Sequence, residues 1–420
     1  MTDTKQVELV KSRSLFAEDR TLIVLWGVAI AVKIALATVS AISYDFLFLL
    51  KELIAGWMKS PVPYVLISGP FYQFWLALPL NHPSLTGWVS GTQFPPGPSA
   101  YVLVLMVKLP ILVADVFCAV LLKGIATMYG GRRNGSLAAT VWLLNPYVLL
   151  TAEMNGSIEL ISIALTLASI LFLMKRRVGV GSFAFGAGIA LKLFPIVLIP
   201  AMFIYYYRLK KVRDLLKIAV AALSGFLVYV AWTSAMGMEF SATLLFYTPF
   251  TTMASELILT PYASKIGLAT ISALAFSFLL GTFWVVKDEN LIEVIFAYLL
   301  AYMAFYDWFP QYLLWLIPFM TVDLIVSRRW TKLYYVLLLT SAFFFSLIMF
   351  EFASNISVFF IPTFTKELET FSALLRQVHS DIVMILVVSP ILRSIFAGVA
   401  IFYSAEICVR NSPRLKALLG

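Results

Sequence analysis

Polar side chains that could act on a hydroxyl group or a phosphate stand beside long apolar runs. Asp45 comes directly after the first apolar run, within Ser43-Tyr44-Asp45-Phe46, and opens the longest segment between runs. A carboxylate there could act as general base for a hydroxyl nucleophile. It could equally cap the helix that follows. The residues alone leave both interpretations open.

Lys192 is a second candidate, in the short sequence Lys192-Leu193-Phe194-Pro195 that interrupts an apolar stretch. Lysine binds phosphate as a point charge, so Lys192 could hold an anionic substrate. The alternative is that its long side chain reaches the lipid headgroups.

Lys108 and Asp115 lie within one apolar run, and their spacing puts them on one helix face about 10 Å apart. That distance is too long for a direct pair, so each is expected to find a partner on another helix. Arg393, beside Pro390, likewise needs a carboxylate or phosphate partner. Charged residues inside a membrane are costly and therefore candidates for function, although a purely structural ion pair also fits Lys108 and Asp115.

Two short turns carry further polar residues. The first, Asn155-Gly156-Ser157-Ile158-Glu159, follows a predicted kink at Asn145-Pro146 and could be no more than a helix cap by Asn155 or Ser157. The second contains Asp307, Gln311 and Tyr312, predicted to lie at the level of Asp45.

The amino-acid composition indicates the kind of structure that positions these residues. Of 420 residues, 61% are hydrophobic and 13% charged, so the chain needs lipid as its solvent. The net charge of +9 comes from clusters between apolar runs, which orient a membrane protein and do not form a nucleic-acid-binding face. Two cysteines and two histidines predict neither a disulfide framework nor a thiolate metal site. No glycine-rich nucleotide loop is present, which argues against a nucleotide-driven pump or a nucleotide-sugar enzyme.

Apolar runs of about 20 residues predict an all-α, polytopic transmembrane bundle of about 12 passes, with both termini cytoplasmic. Basic clusters on both sides of 178–207 predict a hairpin of two short helices there, in place of one long tilted helix. The other predicted spans are 21–43, 101–123, 136–152, 157–174, 218–237, 268–287, 290–308, 309–327, 334–354 and 382–409.

The prediction is one transmembrane domain, 1–420, with three longer outer loops. The first, 44–100, is expected to carry helices lying on the outer leaflet, with Trp75 among its interfacial anchors. The other two loops are 238–266 and 355–381.

Four blocks resemble the membrane-embedded GT-C glycosyltransferases that use polyprenyl-phosphate sugars, most closely the glycosylphosphatidylinositol mannosyltransferase I family and its prokaryotic relatives. They stand in the family's order and span about half the chain: Lys108–Asp115, Trp142–Pro146 with Asn155–Glu159, Leu191–Pro195, and Gln311–Trp315. Asn155 stands where the family has arginine, and Phe194 where it has tyrosine. The family's acidic Asp-x-Asp motif falls on Ser43-Tyr44-Asp45, with Ser43 in place of the first aspartate.

The resemblance implies an inverting glycosyltransferase at the outer or luminal face, with mannose from a polyprenyl or dolichyl phosphate donor and a lipid or glycan acceptor. It implies Asp45 as base, and Lys192 with Gln311 or Tyr312 at the donor phosphate. Acceptor-binding or supporting roles fall to Tyr44, Asn155, Glu159, Asp307, Lys108 and Asp115. No metal ligand is assigned, and no cofactor is certain. Ser43 leaves one aspartate where chelation of a divalent ion would use two, which weakens the case for a metal without excluding it.

Two other functions fit some of the same residues. A transporter or flippase of a lipid-linked or anionic substrate would use the charges within the spans as its pathway. A non-catalytic assembly subunit has no positive sign in the sequence. Short loops favour a prokaryotic cell membrane as the location.

Overall fold

The computed structural model describes residues 22–38, 44–60, 63, 65–80, 98–208, 210–236, 291–305, 310–326, 331–353 and 389–411. Every regular element in these ranges is helical, in agreement with the predicted all-α class. A π-helix at Leu149–Met154 and single helical turns at Trp57–Lys59, Pro146–Val148, Phe194–Leu198 and Pro310–Trp315 connect some of them. The helices are α1 (Leu22–Thr38), α2 (Tyr44–Gly56), α3 (Val65–Ala77), α4 (Pro98–Leu143), α5 (Glu159–Met174), α6 (Val178–Leu191), α7 (Ile199–Arg208), α8 (Val212–Ala235), α9 (Leu291–Phe305), α10 (Ile317–Val326), α11 (Thr331–Ala353) and α12 (Ser389–Asn411).

Three helical stretches of the described chain are long and apolar enough to cross a membrane: Pro98–Met154, Val212–Ala235 and Ile391–Val409. Shorter apolar helices accompany these three stretches. Large apolar side chains such as Phe183, Leu227 and Phe402 are more than half exposed. Contact with lipid tails is favourable for such apolar surfaces, whereas their exposure to water is unfavourable. The protein is thus a helical membrane protein, and the figure of about 12 passes stays a prediction.

Helix α4 is two helices joined at a glycine pair. Gly131 has φ 79° and ψ −179°, a backbone conformation that residues with a Cβ avoid. Beyond the break the chain folds back, since Gly135 lies against Thr127 and the carbonyl of Lys123. The break therefore separates two of the predicted spans, 101–123 and 136–152.

The predicted helix pair at 178–207 is present, as α6 and α7. Helices α6 and α8 run in the same direction, because Gly186 meets Ala221 and Lys192 lies close enough to Tyr229 to interact electrostatically. The intervening α7 must then run back, as a hairpin requires. A single long helix over 178–207 is ruled out by Lys192, whose extended backbone (φ −151°, ψ 132°) ends α6.

Close packing of α6 on α8 depends on glycine. A Cβ added to Gly225 would lie 2.1 Å from the carbonyl oxygen of Gly186, a backbone atom that cannot move aside alone. We expect Gly225→Ala to lower the free energy of unfolding by about 1–3 kcal/mol through overpacking. Gly179→Ala, with nothing within 4 Å of its Cβ, is the matched control and should be neutral or slightly stabilising. Equal unfolding midpoints for the two variants in detergent would contradict this packing.

Some sequence predictions need correction. Trp75, predicted as an interfacial anchor, is 1% exposed, and its indole donates to the Ser99 carbonyl at 3.0 Å, because α3 packs on α4. The predicted span 309–327 is not one helix, since the turn Pro310–Trp315 precedes α10. Loops 238–266 and 355–381, the span 268–287 and Asp307 lie outside the described residues.

Candidate functional site

Four charged side chains meet in the protein interior, and we call them the buried charge cluster: Lys33, Lys108, Asp115 and Glu153. The ammonium of Lys33 on α1 lies 2.9 Å from Asp115 Oδ2 on α4 and 3.1 Å from Glu153 Oε1 in the π-helix. All four residues are at most 1% exposed. Two basic and two acidic side chains are thus buried together, the arrangement in which ionisable groups tolerate burial.

Hydrogen bonds complete the buried charge cluster. The Trp142 indole donates to Asp115 Oδ1 at 2.7 Å. Lys108 Nζ donates to two backbone carbonyls, those of Glu153 at 2.7 Å and Met154 at 3.1 Å. Lys108 and Asp115 thus have the partners on other elements that the sequence predicted: two backbone carbonyls of the π-helix for Lys108, and Lys33 on α1 for Asp115.

The π-helix Leu149–Met154 and the turn after it place two acidic residues, Glu153 and Glu159, in different networks. The chain breaks at Asn145, whose side chain accepts from the Tyr147 and Val148 amides, as the predicted kink requires. The π-helix then places Glu153 beside Lys33, and a turn with Gly156 at φ 72° leads to Glu159 in the first turn of α5. Neither Asn155 nor Ser157 caps α5, since Ile158 holds the cap position and makes no side-chain cap hydrogen bond.

Glu159 forms a second ion pair, with Lys192 at the break after α6. Glu159 Oε1 lies 2.5 Å from Lys192 Nζ, and Glu159 Oε2 accepts from the Trp315 indole at 3.0 Å. The Glu159 side chain is 1% exposed, whereas that of Lys192 is 22% exposed. This pair is therefore open to its surroundings through its cation, unlike the buried charge cluster.

Aromatic rings surround the Lys192–Glu159 pair. The Tyr312 ring centroid lies 5.9 Å from Lys192 Nζ, within the range of a cation–π contact. Phe194 stacks on Tyr312 at 5.9 Å and packs on Trp315 at 4.3 Å between centroids. The rings hold the turn Phe194–Leu198 against the turn Pro310–Trp315, so two predicted blocks far apart in sequence meet at Lys192.

The structure brings together part of the predicted set. Lys192, Glu159 and Tyr312 are neighbours, and Gln311 is half-buried on the same turn as Tyr312. Asn155 is buried in the turn before α5. Lys108 and Asp115 belong to the separate buried charge cluster.

Other predicted residues are placed only in part. Tyr44 and Asp45 begin α2, and their side chains are not among those described. Arg393, predicted to need an anionic partner, donates to the Met303 carbonyl at 3.0 Å. Among the residues that the structure covers, no group of three or more His, Cys, Asp or Glu could hold a metal ion.

Sequence reasoning missed Lys33, Glu153, Trp142 and Trp315 as members of the two networks. A lysine inside the first apolar run was the available signal for Lys33, because a charge within a span needs a partner. Glu153 stands two residues before the predicted turn at Asn155, and its side chain, 1% exposed, belongs to the interior.

Fold and site together define a helical membrane protein with paired charges inside its bundle. The family model of the GPI transamidase subunit PIG-U matches residues 85–252, less than half of the chain. The chain is also similar to GPI mannosyltransferase 1 of Saccharomyces cerevisiae, at 29% identity over 101 residues, which are 24% of this chain and 25% of that protein. The chain thus spans about a quarter of the length of the curated relative it matches. Both matches cover only part of the chain, and membership of the GT-C superfamily, kinship to mannosyltransferase I and a prokaryotic host stay predictions.

Proposed function

We propose that the protein transfers a sugar, mannose by its resemblance, from a polyprenyl-phosphate donor to a lipid or glycan acceptor at the outer membrane face. The observation that carries this proposal is the Lys192–Glu159 pair, a partly exposed cation held at a helix break by a buried carboxylate. The similarity to a GPI mannosyltransferase supports it.

Lys192 is assigned to the donor phosphate. The Trp315 indole and burial fix Glu159, and Glu159 in turn holds the Lys192 ammonium in one place. A departing phosphate monoester carries more negative charge than the diester donor. A cation already oriented before reaction stabilises that developing charge without reorganisation.

Asp45 is assigned as the base. The acceptor oxygen attacks the anomeric carbon from the face opposite the phosphate, the bond from that carbon to the phosphate oxygen breaks, and Asp45 takes the hydroxyl proton. The polyprenyl phosphate leaves with the electron pair. The proposal gives a divalent metal no role.

The test of the base is transfer from radiolabelled polyprenyl-phosphate mannose by purified protein in nanodiscs with a lipid or glycan acceptor. We expect Asp45→Asn to lower kcat by about 10²–10⁴-fold, the usual contribution of a positioned base. Glu52→Gln, on the same helix α2, is the matched control and should retain full activity. Equal turnover by Asp45→Asn and wild type would remove Asp45 from the mechanism.

A second candidate is a non-catalytic subunit that binds a lipid-linked glycan for a partner enzyme. The match to the model of a GPI transamidase subunit favours it, as does Ser43 at the first position of the acidic motif. In the same assay such a subunit would bind the lipid-linked substrate and transfer no label. A transporter would move labelled lipid between leaflets, also without transfer.

A further inference from the structure

Lys108 connects the buried charge cluster to the main chain of the π-helix. Its ammonium, in a side chain 0% exposed, donates to the carbonyls of Glu153 and Met154, at the end of the π-helix. Lys33 binds the Glu153 carboxylate instead. Lys33 therefore fixes the direction of the Glu153 side chain, and Lys108 fixes the position of the main chain at Glu153 and Met154.

The main chain at that point leads directly to Glu159. The connecting turn is short and internally hydrogen-bonded, with the Gly156 amide donating to the Ala152 carbonyl at 2.9 Å and the Ser157 amide to the Thr151 carbonyl at 3.1 Å. A turn tied back onto the π-helix by these bonds moves with it. A displacement of the Glu153 and Met154 carbonyls is thus passed on to the first turn of α5, which carries Glu159.

We propose that Lys108 is a positioning residue, which places Glu159, and through it Lys192, by anchoring the end of the π-helix. The competing role is charge balance alone, in which Lys108 only offsets the carboxylate of Glu153. The two roles predict different effects of losing Lys108. If Lys108 anchors the π-helix, its loss changes the environment of Glu159. If it only balances charge, its loss affects the buried charge cluster and leaves Glu159 unchanged.

The first test is spectroscopic and independent of catalysis. Protein labelled with 5-fluorotryptophan is studied by ¹⁹F NMR in nanodiscs, and Trp315→Phe identifies the Trp315 resonance, since that indole donates to Glu159. We expect Lys108→Met to shift or split this resonance. Lys123→Met, also on α4 but over the Trp26 ring at 4.8 Å, should leave it in place.

Lys108→Gln guards against simple loss of folding. Its amide can donate to one of the two carbonyls, so we expect a smaller displacement of the same resonance. A Trp315 resonance at its wild-type position and width in folded Lys108→Met or Lys108→Gln overturns the proposal, whatever happens to sugar transfer.

The second test is kinetic and rests on the proposed function. We expect Lys108→Met to raise the donor KM about tenfold with less effect on kcat, because the Lys192 ammonium is displaced from the donor phosphate. In a Glu159→Gln background the same substitution should change the donor KM less than twofold, since the connecting carboxylate is gone. Additive effects of the two substitutions overturn the anchoring role. An inactive wild-type protein would count against the proposed function alone, because the Trp315 resonance still decides the role of Lys108.

Discussion

Lys33→Met is expected to lower the free energy of unfolding by about 3–5 kcal/mol, the usual cost of leaving a buried charge without its partner. Lys33 lies within 3.1 Å of two carboxylates, and its side chain and both of theirs are at most 1% exposed. Without the Lys33 ammonium, the buried charge cluster keeps two acidic side chains and only one basic side chain, Lys108. Unfolding titrations in mixed micelles measure the loss.

A second substitution separates charge balance from packing. Glu153→Gln added to Lys33→Met removes the excess negative charge, so we expect the double variant to regain at least half of the lost stability. Lys332→Met, an exposed lysine on α11, serves as the control. A Lys33→Met protein as stable as the control would show that the buried charge cluster does not hold α1 to the bundle.

Lys192→Met is expected to raise the donor KM by about 10- to 100-fold, as for loss of a hydrogen bond to a charged group. We also expect a smaller fall in kcat, because the departing phosphate gains charge that the ammonium no longer stabilises. The substitution also leaves Glu159 buried without its ammonium, so stability should fall with it. Lys192→Met combined with Glu159→Gln removes both charges. We expect that double variant to regain stability and to keep the high donor KM.

The matched control for Lys192 is Lys217→Met. Lys217 lies on α8, is 45% exposed and contacts Asp214 at 3.6 Å, the weak surface pair expected at a helix end. Its loss should leave the donor KM unchanged. A donor KM that returns to the wild-type value in the Lys192–Glu159 double variant would show that the lysine acts through folding and not through the phosphate.

The positions of the basic residues predicted much of this fold. Basic clusters on both sides of 178–207 predicted the reversal that α6, α7 and α8 make, because positive residues stay on one side of a membrane. The helix break at Lys192 and the kink at Asn145-Pro146 were also predictable, since proline stands at or close to each. The π-helix was not, because Leu149–Met154 has no residue that separates it from an ordinary helix.

The site was predictable in its members more than in its pairing. Spacing predicted that Lys108 and Asp115 each need a partner on another element, and the structure provides one for each. Which residues they do contact depends on how the helices cross, and a one-dimensional pattern does not contain that information. Lys192 and Glu159 were both predicted as site residues, yet as separate ligands, whereas they form one pair at 2.5 Å.

Transfer of labelled mannose by the purified protein is the most direct test of its assignment as a glycosyltransferase. Purified chain in nanodiscs, given polyprenyl-phosphate [¹⁴C]mannose and acceptor, should place the label in the acceptor and release polyprenyl phosphate in equal amount. Lys192→Met should need a higher donor concentration for the same rate. Saturable donor binding with no label in the acceptor, under conditions where a known GT-C enzyme is active, would contradict the assignment as a glycosyltransferase and favour the non-catalytic subunit.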